Sequence, residues 1–289
     1  MTTDWSSLDP ALADTTVSVT IDGASVTVPA GDTILDACTA HGVDTPTICY
    51  AENLTPVNAC RVCVVEVEGN RTLVPACSRP AEDGMEIQTD SERVRHSRKM
   101  VLEFLGTTND LSEAPAINAM SERYDADITR YATDHARFDQ DVKIDDDLYI
   151  RDYDKCVLCY KCVDACGEEA QFTFAIAMSG RGFDNRISTE FDVTLPDSAC
   201  VYCGNCIGVC PTNALQFKTE FDLRRAGEWR EDEQTVTRTV CSYCGVGCNL
   251  ELHVQDNEIV KVTSPADHSV THGHLCVKGR FGWKYVSAT

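Results

Sequence analysis

The chain has 289 residues and a formal net charge of −21, from 46 acidic and 25 basic residues. This charge argues against nucleic-acid binding, because contacts to phosphates require basic patches that the sequence lacks. The 17 cysteines exceed ordinary usage, and their odd number and tight spacing favour metal binding over a disulfide framework.

Residues 1–15 are polar and include Pro10, so we predict a loosely docked N-terminal arm. The start of the sequence lacks the basic and apolar segments of a secretory signal peptide. No apolar run reaches the length of a membrane span. Together with metal-spaced cysteines, which require a reducing compartment, these features predict a cytoplasmic protein.

Residues 16–95 are predicted to form a small domain. Apolar and polar residues alternate on both sides of Asp22-Gly23, which predicts a β-hairpin. We expect Asp32 to cap a helix over residues 33–41, with Ile34, Leu35 and Cys38 on one face. A hairpin followed by a helix and by metal-spaced cysteines suggests the β-grasp ferredoxin arrangement.

Four cysteines of this domain predict a [2Fe–2S] site: Cys49, Cys60, Cys63 and Cys77. Cys60 and Cys63 have two residues between them on a tight loop and are expected to be the central ligands. The spacing differs from that of plant-type ferredoxins. Cys38 is left over, and its apolar neighbours in the predicted helix indicate a buried core thiol rather than a ligand.

The sequence around these cysteines, in segments 46–50, 59–67 and 75–78, resembles a known family. It is similar to the variant [2Fe–2S] domain of the large iron–sulfur subunit of complex I, of hydrogenase diaphorase subunits and of soluble formate dehydrogenases. In the complex I and hydrogenase relatives, the next helix leads to a cluster held by one histidine and three cysteines. This chain has no cysteine between Cys77 and Cys156, so that cluster cannot form with its usual ligands.

Residues 96–145 are accordingly predicted to be a helical connector without a cluster. A helix is expected from Thr89 to about Leu105. Its predicted apolar side consists of Val94, Met100, Val101, Phe104 and Leu105. The histidines of this region, His96 and His135, are expected to face solvent or to cap helices.

Residues 146–220 contain two cysteine groups that each follow the C-x2-C-x2-C-x3-C run of a bacterial two-cluster ferredoxin. In this pattern three close thiolates bind one [4Fe–4S] cube and the fourth crosses to the other cube. One cube is therefore assigned to Cys156, Cys159, Cys162 and Cys210. The other is assigned to Cys166, Cys200, Cys203 and Cys206. Structural zinc would leave the third and fourth cysteine of each group unexplained, and neighbouring cubes would form a path for electrons.

Residues 234–289, which follow a charged bridge over 221–233, contain a fourth cysteine set: Cys241, Cys244, Cys248 and Cys276. Alternating residues on both sides of a turn at 255–257 predict a hairpin between the third and fourth cysteine. The spacing suits a [4Fe–4S] cube. Zinc is a more serious alternative here than in residues 146–220, because four cysteines in two groups also suit a structural zinc ribbon.

The segments 241–248 and 273–282 resemble the N-terminal [4Fe–4S] domain of molybdenum/tungsten-bis-pterin oxidoreductases. The resemblance implies a role for Lys278, which matches a lysine lying between cube and pterin in formate dehydrogenases and some nitrate reductases. The complex I counterpart lacks this lysine.

The sequence thus predicts an α+β multidomain protein with one [2Fe–2S] and three [4Fe–4S] clusters. The resemblance spans about residues 15–285 and implies the N-terminal half of a soluble formate dehydrogenase large subunit, ending before the pterin-binding part. We expect an electron-transfer subunit with no catalytic residues of its own. Its expected partners are a catalytic subunit with a Mo or W bis-pterin cofactor and a subunit that binds flavin, NAD(P) or another acceptor. The alternatives are a diaphorase-side subunit of a soluble hydrogenase or complex I-like NADH oxidoreductase, and a zinc-stabilised scaffold.

Overall fold

The computed structural model describes residues 15–131 and 140–286, so residues 1–14 of the predicted arm and His135 lie outside the described residues. The chain divides into two compact units. Of the described residues, one unit contains 15–51 and 55–131, and the other contains Glu52–Leu54 and 140–286. Helices and sheets occur in both units, which confirms the mixed fold class.

The first unit is built on a five-stranded sheet. Its strands are β1 (Thr16–Ile21), β2 (Ala24–Pro29), β3 (Val64–Val67), β4 (Val74–Pro75) and β5 (Glu86–Gln88). The order is β2-β1-β5-β3-β4; β1 and β5 run parallel, and the other pairs are antiparallel. The predicted hairpin of β1 and β2 is confirmed. Asp22 adopts a left-handed φ of 49° in its turn, and its carboxylate accepts a hydrogen bond from the Thr89 backbone N–H at 2.8 Å.

Helix α1 (Ile34–Ala40) packs its apolar side on this sheet. The predicted cap was wrong by one residue, because Thr33 and not Asp32 caps the helix. The Thr33 hydroxyl accepts from the Asp36 N–H at 3.2 Å, and the Asp36 carboxylate accepts from the Thr33 N–H at 2.8 Å. This reciprocal pair satisfies two N–H groups that a helix start otherwise leaves unpaired.

Helix α2 (Glu92–Thr108) begins and ends three residues later than predicted, with Ser91 as its cap. Of the predicted apolar side, Val94 is buried, whereas Met100, Val101 and Leu105 are only half-buried. Phe104 is 52 % exposed. The positions that the structure buries are Val94, Arg98, Leu102, Glu103, Gly106 and Thr107. Two of these are charged, and each is satisfied inside: Arg98 by carbonyl and hydroxyl oxygens, and Glu103 by Arg130 at 3.0 Å.

Beyond α2, the described part of the connector contains one further helix, α3 (Pro115–Arg123), followed by turns. The described residues of the predicted connector thus combine helix with turns. His96 is exposed on α2, as predicted. No helix among the described residues is both long and apolar enough to cross a membrane.

The ferredoxin-like part of the second unit shows an internal repeat. Its elements are β6 (Tyr149–Arg151), α4 (Lys161–Cys166), β7 (Ala177–Ser179), β8 (Arg186–Ser188), α5 (Asn205–Gly208) and β9 (Leu215–Phe217). Strands β6 and β9 pair antiparallel, as do β7 and β8. Each short helix carries cysteines of one group, and the two helices contact each other. Their shared core includes Tyr149, Ile187 and Leu215.

The rest of the second unit contains a small three-stranded sheet. In the sequence, one helix precedes the sheet and another follows it. Its elements are α6 (Lys218–Ala226), β10 (Thr235–Val240), β11 (Asn249–Gln255), β12 (Glu258–Thr263) and α7 (Val277–Phe281). The predicted hairpin of β11 and β12 is confirmed. Strand β10 was not predicted. The predicted charged bridge is in part helix, because α6 buries Phe221 and pairs Glu220 with Arg224 at 2.7 Å and with Lys261 at 3.2 Å.

Candidate metal centres

The four cysteines of the predicted [2Fe–2S] site lie together in the first unit: Cys49, Cys60, Cys63 and Cys77. The Cys60 N–H donates to the Cys49 sulfur at 3.4 Å. Hydrogen bonds from Cys60 and Cys77 lower the pKa of the Cys49 thiol, and a hydrogen bond from Cys77 lowers that of Cys63. The same contacts raise the pKa of Cys60 and Cys77. Four sulfurs that already share protons form a donor set that suits iron, which binds the thiolate form.

Arg98 of α2 holds this cysteine loop from behind. Its guanidinium donates to the carbonyls of Val62 at 3.0 Å and Val64 at 2.9 Å, and to the Tyr124 hydroxyl at 2.7 Å. Val62 lies between two of the predicted ligands. Sequence reasoning missed Arg98; the available signal was its position one turn after Val94, on the same side of the helix.

The two cysteine groups of the second unit line two separate cavities. One cavity is lined by Cys156, Cys159, Cys162 and Cys210. The other is lined by Cys166, Cys200, Cys203 and Cys206. Each cavity thus takes three sulfurs from one group and the fourth from the other group. Both are otherwise lined mainly by apolar side chains, so the chemistry of the donor sets fits [4Fe–4S] clusters.

Burial controls the ionisation of these thiols. It raises the pKa of Cys156 to about 12, and it raises the pKa values of Cys162 and Cys206 well above the usual thiol value. A buried thiolate is unfavourable without a positive charge nearby. Iron would supply that charge, and its binding would release the protons.

The backbone wraps around both cavities in the same way. Leu158 and Tyr160 have φ values of 51° and 67°, and Tyr202 and Gly204 have 59° and 68° at the equivalent positions of the second group. Such left-handed conformations are costly for residues other than glycine. They direct N–H groups at sulfur: the Tyr202 N–H donates to the Cys200 sulfur at 3.4 Å.

Side-chain hydroxyls also reach the sulfurs of the second cavity. The Tyr149 hydroxyl lies 2.9 Å from the Cys200 sulfur, and Thr173 Oγ1 lies 3.4 Å from the Cys166 sulfur. Burial and the contact with Cys200 raise the pKa of Tyr149, which keeps its phenol protonated and able to donate. Hydrogen bonds to cluster sulfurs are among the features that set a reduction potential.

The fourth cysteine set surrounds one end of β11. The Cys241 N–H donates to the Cys248 carbonyl at 2.7 Å, which closes the loop between them. Burial and the charges of Cys241, Cys276 and Cys244 raise the pKa of Cys248. Cys244 and Cys276 are exposed. Lys278 is also exposed, on α7.

Two observations complete this description. Cys38 has no exposed surface and belongs to the core of the first unit, which confirms the predicted core thiol. Burial raises the pKa of its thiol. Within residues 15–131 and 140–286, no group of three or more His, Cys, Asp or Glu side chains is arranged to hold a single metal ion.

Family models match three parts of the chain. They describe a 2Fe-2S iron-sulfur cluster binding domain at residues 14–92, a 4Fe-4S dicluster domain at 155–214 and a molybdopterin oxidoreductase Fe4S4 domain at 234–288. The chain is therefore an iron–sulfur protein with three cluster-binding domains.

Three curated proteins are similar to nearly the whole chain. An NADH-quinone oxidoreductase subunit of Rhizobium meliloti is 34 % identical over 94 % of this chain and 32 % of its own length. The alpha subunit of the NADPH-Fe(3+) oxidoreductase of Geobacter sulfurreducens is 34 % identical over the same shares. A formate dehydrogenase-like protein of Staphylococcus haemolyticus is 27 % identical over 93 % of this chain and 31 % of its own length. The chain spans about a third of the length of these curated relatives.

A solved structure is also similar to this chain. One chain of the NAD+-reducing [NiFe]-hydrogenase, crystallised in the H2-reduced state, matches with a TM-score of 0.62 and 26 % identity. The match covers 70 % of this chain and 87 % of that chain. The chain is related to the N-terminal iron–sulfur portion of the NADH-quinone oxidoreductase relative, and to formate dehydrogenase-like and hydrogenase subunits.

Proposed function

We propose that this chain conducts electrons through one [2Fe–2S] and three [4Fe–4S] clusters held by sixteen cysteines. The observation that carries the proposal is the pair of four-sulfur cavities with crossed cysteine groups. The [2Fe–2S] ligands are Cys49, Cys60, Cys63 and Cys77. The ligands of the dicluster domain are Cys156, Cys159, Cys162 and Cys210 for one cube, and Cys166, Cys200, Cys203 and Cys206 for the other. The ligands of the last cube are Cys241, Cys244, Cys248 and Cys276.

The clusters supply one-electron transfer when bound, and the chain supplies burial, ligation and hydrogen bonds that set each potential. Arg98 donates to the Val62 carbonyl in the loop of the proposed [2Fe–2S] ligands, and the Tyr149 hydroxyl lies within hydrogen-bond distance of the sulfur of Cys200, a proposed cube ligand. We also propose a cytoplasmic location, because free thiol ligands persist in a reducing compartment.

More specifically, we propose that the chain serves a multisubunit formate dehydrogenase. Formate oxidation to carbon dioxide releases two electrons and one proton at a Mo or W bis-pterin site on a partner. The electrons then pass singly through this chain to a partner that binds flavin, NAD(P) or another acceptor. Lys278 supports this proposal, since its exposed ammonium follows Cys276 by two residues and can approach a partner's pterin.

A second function is favoured by sequence identity. The relatives at 34 % identity are named as NADH-quinone and NADPH-Fe(3+) oxidoreductase subunits, and the solved structure is a hydrogenase. In that case the chain would carry electrons on the diaphorase side of an NAD(P)H-linked complex, and Lys278 would have no pterin to contact.

Metal analysis tests the shared part of both proposals. Anaerobically prepared chain should contain ~14 iron atoms, from one two-iron and three four-iron sites, and little zinc. Stoichiometric zinc with little iron would instead support the zinc-stabilised scaffold.

Copurification distinguishes the two functions. The chain should show no formate-dependent dye reduction alone and should gain it when captured with a subunit that carries molybdenum or tungsten and pterin. Capture with hydrogenase or NADH oxidoreductase subunits only, without formate activity, would reject the formate dehydrogenase proposal.

A further inference from the structure

Arg280 of α7 is buried against the second cysteine group. Its side chain has no exposed surface, and its guanidinium donates to the Cys203 carbonyl at 3.4 Å, to Asn205 Oδ1 at 3.1 Å and to the Val262 carbonyl at 3.5 Å. All three acceptors are neutral. When deprotonated, the sulfurs of Cys203 and Cys206 stabilise the charge of this guanidinium and raise its pKa.

Two glycines create the space for Arg280. A Cβ on Gly204 would lie 2.9 Å from Arg280 Cγ, and a Cβ on Gly208 would lie 3.3 Å from one of its terminal nitrogens. The first cysteine group carries Tyr160 and Asp164 at the equivalent positions. The internal repeat therefore has a place for a buried arginine in its second half and an acidic residue in its first half.

A second buried arginine, Arg151, differs from Arg280 in having a carboxylate partner. Arg151 lines the cavity of Cys166, Cys200, Cys203 and Cys206, but it forms a close ion pair with Asp145. Its positive charge is thereby neutralised by a carboxylate. Arg280 has no such partner among the described residues, so its positive charge remains to be balanced by the cysteine sulfurs.

We propose that Arg280 is the counter-cation of the cluster bound by Cys166, Cys200, Cys203 and Cys206, and that it makes this cluster the higher-potential member of the pair. The inference rests on the cluster ligation proposed above. Each cube accepts one electron from a reductant and thereby gains one negative charge. A fixed positive charge in a medium of low dielectric constant stabilises that state more than the oxidised one.

Neighbouring groups act in the same direction. The Tyr149 hydroxyl lies 2.9 Å from the Cys200 sulfur. A hydrogen bond from this hydroxyl to a ligand sulfur would also favour the reduced cluster. The Arg280 guanidinium stays protonated at neutral pH, because arginine loses its proton only in strongly basic solution. The first cysteine group has Asp164 and not glycine at the position of Gly208, so the first half of the repeat does not reproduce the space beside Arg280.

The test is an EPR-monitored redox titration of the full chain, prepared anaerobically, with dithionite as reductant. Four proteins are compared with the unmodified chain: Arg280→Met, Arg280→Lys, Tyr149→Phe and Lys284→Met. Arg280→Met should lower the midpoint of one [4Fe–4S] signal by at least a tenfold change in the ratio of oxidised to reduced cluster, or 59 mV for one electron. Arg280→Lys should restore most of this shift.

The Tyr149→Phe variant identifies the affected cluster, and the Lys284→Met variant controls for the loss of one positive charge. Tyr149→Phe removes the hydroxyl at Cys200 and should lower the midpoint of the same signal. Lys284→Met removes an equal charge four residues further along, at a position outside the buried core. It should leave all midpoints unchanged, because water and salt screen that charge.

The outcomes separate this inference from the proposed function. An unmodified chain without iron or [4Fe–4S] signals would refute the ligation itself. Complete clusters with equal midpoints in Arg280→Met and the unmodified chain would overturn the role of Arg280 alone. If Arg280→Met lost its clusters, the Arg280→Lys and Tyr149→Phe variants would decide. A lowered midpoint in Tyr149→Phe together with a near-native midpoint in Arg280→Lys would support the inference. Any other result would overturn it.

Discussion

Replacing Arg98 by methionine should loosen the loop that holds the predicted [2Fe–2S] ligands. The change removes three buried hydrogen bonds, to Val62, Val64 and Tyr124, while keeping an unbranched apolar side chain of similar reach. A hydrogen bond to a charged group contributes roughly 1.5–3 kcal/mol. Even the low end of this range predicts that the unit loses about 4 kcal/mol, because the carbonyls are left buried without a donor.

The assay is urea unfolding followed by loss of the [2Fe–2S] EPR signal. For a urea dependence of about 2 kcal/mol per molar, a loss of about 4 kcal/mol lowers the midpoint by about 2 M. Arg95→Met is the matched control. Arg95 lies on the same helix with its side chain 45 % exposed, and it pairs with Asp90 at 2.9 Å, so its removal should cost at most about 1 kcal/mol. Equal midpoints for the two variants would refute the supporting role of Arg98.

Two further predictions concern single residues. Cys38→Ala should keep every cluster signal and lower the free energy of unfolding by about 1 kcal/mol, because it leaves a small void in the core. Cys60→Ala should remove the [2Fe–2S] signal alone. Loss of any cluster in Cys38→Ala would show that the ligand assignment is wrong. In an assembled formate dehydrogenase, Lys278→Ala should slow electron flow from the pterin site to the clusters about tenfold, or ~1.4 kcal/mol of barrier, with unchanged [4Fe–4S] content. Stopped-flow reduction at the native rate would argue against the formate dehydrogenase proposal.

Spacing and alternation were sufficient for much of the fold. The hairpin of β1 and β2 and that of β11 and β12 follow from alternating apolar residues around short turns, since a two-residue period is unambiguous. The cysteine runs likewise predicted the grouping found in the two cavities of the second unit. The ligand assignment itself remains a prediction.

The errors arose where polar residues are buried. The side of α2 was misjudged because periodicity assigns charged residues to the surface, whereas Arg98 and Glu103 are buried and satisfied by partners distant in sequence. Arg280 was missed as a buried cation for the same reason, because its acceptors belong to Cys203, Asn205 and Val262. Long-range partners leave no local pattern. The choice between Asp32 and Thr33 as a cap depended on Asp36, which completes a capping box only with Thr33.

The crossed cysteines of the dicluster domain limit how this protein can be divided. Each cavity takes its fourth sulfur from the other half of the repeat: Cys210 for one and Cys166 for the other. Neither half can therefore complete a four-sulfur site within a single copy of itself. A fragment ending between Cys166 and Cys200 would have to exchange its last cysteine with a second copy, and would assemble its clusters as a swapped dimer. In the proposed ligation the two clusters would act as reciprocal cross-links, and the two halves should lose or gain iron together.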